Sequence, residues 1–83
     1  MSLADEIHTR LTTAFAPDLL QIVDDSEKHR GHGGWREGGE THFNVTIRAA
    51  QLAALPRLAR HRAVHAALGD LTQRIHALAL DIG

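Results

Sequence analysis

The sequence predicts an α+β fold: a single domain over residues 1–83, ordered α-β-β-α-(α)-β, with a three-stranded sheet carrying its helices on one face. Three observations lead there. Apolar residues recur at helical spacing near the start and again in the second half. Two segments between those stretches read as β-strands, one aliphatic-rich and one cleanly alternating. The last eight residues before Gly83 alternate once more. A sheet covered on one side by helices is the simplest arrangement that buries all of these stripes together. A chain of 83 residues supports one thin core, and with only three aromatic residues that core must rest on Leu, Ile, Val and Ala.

The first helix has a marked start. Ser2 followed by Asp5 resembles a capping box, with Asp in place of the usual Glu or Gln. Leu3, Ile7, Leu11, Ala14 and Phe15 then form one apolar face, and Pro17 ends the helix by disfavouring helical geometry in the residue before it. Leu19 to Ser26, "LLQIVDDS", reads as a strand. Thr41 to Ala49, "THFNVTIRA", sets Phe43, Val45 and Ile47 on one face and His42, Asn44 and Thr46 on the other. The two strands are expected to pair antiparallel across the glycine-rich stretch between them. That connection is far longer than an ordinary hairpin loop, a length found in functional or disordered segments.

"QLAALPRLARHRAVHAALGDL" returns to helical periodicity, with Pro56 suited to a first turn. His61, Val64, Leu68 and Leu71 form its stripe, and Gly69 is expected to separate it from a short second helix. His61 on that stripe is expected to be structural; His8, His42 and His65 are expected at the surface. In the closing "IHALALDI", His76, Leu78, Leu80 and Ile82 share one face of a strand, which places His76 at the rim of the core. On periodicity alone, a half-buried histidine bonded to backbone is the plainer account of that position.

Composition excludes several functions. The chain has no cysteine, hence no disulfide, no Cys-based zinc site and no thiol nucleophile. The N-terminal "MSLADEIHTR" is polar and does not resemble a signal peptide, and no apolar run approaches the roughly 18–20 residues that cross a bilayer, so the expected location is cytoplasmic. The formal net charge of −1 argues against strong non-specific nucleic-acid binding, although residues 48–83 carry five Arg against two Asp. There is no HExxH motif and no set of nucleophile, base and orienting group, so the chain is not expected to be an enzyme.

Four blocks in order, "VDDS", "GETHFNV", "RHRAVHAAL" and "IHALAL", resemble the BolA family from about Ile22 to Leu80. The segment "QLAALPRLARHR" departs from that family, which usually has an aromatic residue and a glycine where Leu52 and Ala54 stand. The resemblance implies a fold similar to class II KH domains. It also implies a monothiol glutaredoxin as partner, with a 2Fe–2S cluster shared between the proteins and glutathione, in iron–sulfur trafficking or iron and redox sensing. By the same resemblance His76 is a cluster ligand, and a second ligand comes from the loop, which offers His29 and His32; His29, three residues after Ser26, is slightly preferred. No cluster is expected in the isolated chain, which is expected to be a monomer.

The residues are compatible with that chemistry. Histidine replaces two thiolates on one iron in Rieske centres, so a chain without cysteine can supply ligands if a partner supplies the thiolates. Trp35 in the loop reads as a partner contact, as do Arg60 and Arg62 on the second helix. Some relatives in the family are DNA-binding regulators of morphology and stress genes. On that alternative Arg57, Arg60 and Arg62 would meet phosphates. "GHGG" from Gly31 to Gly34 matches the GXXG letters of KH domains, but lies between strands rather than between helices.

Overall fold

The computed structural model describes residues 2–25 and 42–83. Helix α1 spans Leu3–Phe15 and is followed by strands β1 (Leu19–Asp24) and β2 (His42–Arg48), a one-turn helix α2 (Ala50–Ala53), helix α3 (Arg57–Leu68), a 3₁₀ turn (Gly69–Gln73) and strand β3 (Ala77–Ile82). The expected α+β order is therefore present, with the sheet in the order β1-β2-β3.

The expected capping box starts α1: Asp5 N donates to Ser2 Oγ at 3.1 Å, and Ser2 N donates to Asp5 Oδ2 at 3.3 Å. Two otherwise unsatisfied amides are thereby paired at the helix start. The Ser2 contacts hold the Asp5 carboxyl below its ordinary pKa. Ala16 closes the helix in the left-handed region at φ 44°, its N–H bonding Thr12 O at 2.9 Å, and Pro17 turns the chain toward β1.

β1 and β2 pair antiparallel, with Leu20 opposite Ile47 and Ile22 opposite Val45. β3 pairs parallel to β2, with Phe43 opposite Leu78 and Val45 opposite Leu80. This register aligns Leu20, Ile22, Phe43, Val45, Ile47, Leu78, Leu80 and Ile82 on one side of the sheet, against Ile7, Leu11, Val64, Leu68 and Leu71 of the helical layer. A one-residue slip would carry these side chains to the other face, so burial of the stripe fixes the register.

The second helical region differs from the expected single helix. Residues 50–53 make a separate turn that buries Leu52 completely, and α3 starts only at Arg57, with Pro56 extended in the cap position just before it. Pro56 has no N–H to contribute and favours extended geometry in Leu55, which breaks the helix there. Arg60 reaches back over the break, donating from Nε to Leu55 O at 2.8 Å and from Nη2 to Ala53 O at 3.0 Å. The expected end of α3 holds: Gly69 adopts φ 55° and the 3₁₀ turn follows. Arg10 ties that end to α1, with Nη1 2.6 Å from Leu68 O and 2.8 Å from Asp70 Oδ1.

Candidate metal and partner site at one end of the sheet

Because β1 and β2 run antiparallel while β2 and β3 run parallel, the end of β1 and the starts of β2 and β3 lie at the same end of the sheet. Asp25, His42 and Ala77 converge there, with His76 one residue before β3. Asp25 N extends the ladder by donating to His42 O at 2.7 Å, and His42 stands in register with Ala77. Asn44 Nδ2 donates to Asp25 Oδ2 at 3.0 Å, placing a carboxylate in the same neighbourhood. Asp25, His42, Phe43, Asn44 and the first residues of β3 line a cleft of about 270 Å³. Ala77 and Ala79 are exposed on β3, and their small side chains leave room beside His42.

His76 corrects its expected environment. It is exposed in a bend before the strand rather than set at the rim of the core inside it. Ile75 takes the buried position at 8% exposure, and the bend shifts the phase so that Leu78, Leu80 and Ile82 then face the core. A strict period of two across Ile75 and His76 therefore fails. His42 corrects in the opposite direction. Expected at the surface, it is 5% exposed although its neighbour Asn44 on the same strand face is exposed. The His42 and His76 rings lie 5.2 Å apart between centroids, tilted by 56°. The signal for this pair was the register that sets His42 beside the start of β3, which no one-strand alternation contains.

His61 is half-buried, as a structural histidine should be, and its Nδ1 lies 3.1 Å from Arg57 O, one helical turn back. His8 and His65 are exposed as expected. The arginines of α3 divide. Arg57 and Arg62 are exposed, whereas Arg60 is half-buried and engaged with the carbonyls of the preceding break rather than simply pointing outward. His29, His32 and Trp35 lie outside the described residues. Among the described residues no group of three or more His, Asp or Glu could hold a metal ion, and no helix is long and apolar enough to cross a membrane.

These elements define a small α+β domain built on a three-stranded mixed sheet. The chain matches the BolA-like protein family over residues 11–82 and belongs to it. It is 38% identical over 77 residues to the DNA-binding transcriptional regulator BolA of Vibrio cholerae, covering 92% of this chain and 69% of that protein. It is 39% identical over 75 residues to BolA-like protein 1 of Homo sapiens, covering 89% of this chain; it spans 52% of that relative's length. Among solved structures, BolA1 from Arabidopsis thaliana superposes with a TM-score of 0.85 at 30% identity, covering 99% of this chain and 90% of that one.

Proposed function

We propose that this chain is a non-catalytic iron–sulfur adaptor that binds a monothiol glutaredoxin and shares a 2Fe–2S cluster with it, in cluster trafficking or in iron and redox sensing. The observation that carries the reading is the exposed imidazole of His76 at the sheet end that also holds Asp25 and His42, beside a cleft. An imidazole there can meet a metal carried by another protein without unfolding anything. The donor chemistry fits a shared cluster: the chain has no thiol, and the described residues hold no complete ligand set, so further ligands would come from the partner, from glutathione and from His29 or His32. When bound, the cluster supplies one-electron redox chemistry and transferable iron and sulfide. His76 binds it, and Trp35, Arg60 and Arg62 serve the partner surface.

Mixing the protein with cluster-loaded monothiol glutaredoxin should change the visible absorption and circular dichroism, and His76→Ala should abolish the change. Unaltered spectra on mixing, or identical spectra with the variant, would sink the reading.

A second reading is favoured by the name of the Vibrio cholerae relative, a DNA-binding transcriptional regulator. On it, Arg57 and Arg62 contact phosphates from the exposed side of α3, joined by Arg60. Binding to duplex DNA should then weaken with salt, and its log–log slope should shrink by about one for each of Arg57→Ala and Arg62→Ala. A slope near zero in the unsubstituted protein rules phosphate contact out.

A further inference from the structure

We propose that His42 and His76 form a metal site of their own, in which the two imidazoles bind one divalent transition-metal ion in the isolated chain. His42 is 5% exposed, so its ring is held in place by the fold before any ion arrives, while His76 is exposed and reachable from solvent. The spacing of the rings suits a shared ion. With a zinc–nitrogen bond of about 2.0–2.1 Å and a ring nitrogen about 1.1 Å from its centroid, two imidazoles at a tetrahedral angle have centroids about 5.2 Å apart. The measured separation is 5.2 Å, and the 56° tilt keeps the rings from stacking flat.

The surroundings favour a cation. Asp25 lines the same cleft as His42, and its carboxylate is oriented by Asn44 at 3.0 Å. Neutral imidazole suits zinc, copper and nickel, whereas a site for calcium or magnesium would be built from oxygen ligands. With two ligands from the chain, the remaining positions are filled by water or by an external donor, so the site is an open one. It does not depend on the cluster reading. Where that reading also holds, the ion and the cluster compete for His76.

The test uses the intact chain, zinc ions and no glutaredoxin, so its outcome is separate from that of the cluster experiment. In the unsubstituted protein, zinc should bind one-to-one by calorimetry and shift the imidazole nitrogen resonances of both His42 and His76. Removing an outer-shell partner already costs metal sites 10–100-fold, so His42→Ala and His76→Ala should each weaken binding by at least about tenfold. The double variant His8→Ala/His65→Ala, at two exposed histidines on the helices, should retain the unsubstituted affinity. Because His42 is buried, His42→Phe, which keeps a ring of similar bulk, serves as a second variant should His42→Ala fail to fold. Absence of zinc binding, resonance shifts confined to other histidines, or loss of binding in the His8→Ala/His65→Ala variant would each overturn the proposal.

Discussion

The exposed position of His76 separates its functional role from folding. A side chain in a solvent-facing bend contributes little to stability, so His76→Ala should change the unfolding free energy by no more than about 0.5 kcal/mol. Leu68, fully buried at the end of α3, should cost about 2–5 kcal/mol when cut to Ala. Urea denaturation of both variants checks this, and a loss of several kcal/mol at His76 would show that its imidazole is structural. The contrast also marks what single residues disclose in a sequence. His61 was legible as structural because its helical stripe defines both its face and the layer beneath. His42 was not, because alternation assigns a residue to a strand face but says nothing of what approaches that face. The approach comes from His76, distant in the chain and brought near by strand pairing.

Elements were legible where local chemistry decides them. The Ser2–Asp5 box, the stop at Pro17 and the break at Gly69 all rest on contacts or conformations within a few residues, and each is present. Two element features were not legible. The break at 54–56 is set by Pro56, whose fitness for a first turn does not say where the preceding turn ends, and Arg60 satisfies the carbonyls left open there. The phase shift before β3 depends on Ile75 reaching the core from outside the strand. Ala16 holds a left-handed conformation at φ 44°, which costs a residue with a Cβ roughly 1–2 kcal/mol. Glycine avoids that strain while losing more entropy on folding, so Ala16→Gly should stabilise the protein by about 0.5–1 kcal/mol. For a domain of this size, that raises Tm by a few degrees, on the order of 4–8 °C per kcal/mol. A lowered Tm would mean that the cap does not adopt this conformation in solution.

At the scale of the molecule, periodicity was enough for three strands and a helical layer on one face, because that is the simplest arrangement that buries the apolar stripes together. Sheet order and the parallel direction of β3 were beyond it, since they follow from where α3 and the 3₁₀ turn return the chain. Long-range polar ties close that arrangement. Arg74 meets Glu6 at 3.3 Å, Arg48 meets Asp81 at 2.9 Å, and Arg10 joins α1 to Asp70 and to the last carbonyl of α3. The Arg10 hydrogen bond and its positive charge hold the Asp70 carboxyl below its ordinary pKa. A carboxylate with a lowered folded-state pKa adds stability that is fully present above the unfolded value of about 3.9 and is lost as pH falls through the folded value. Asp70→Asn removes that titration. Its Tm should therefore lie below that of the unsubstituted protein at neutral pH and low salt, and the gap should close as the solution is taken well below pH 4. Because the pair is exposed to solvent, added salt at neutral pH should narrow the gap as well. Thermal melts at both pH values, with and without salt, measure it. A gap that persists unchanged into acid would show that Asp70 acts through its shape at the turn rather than through its charge on Arg10.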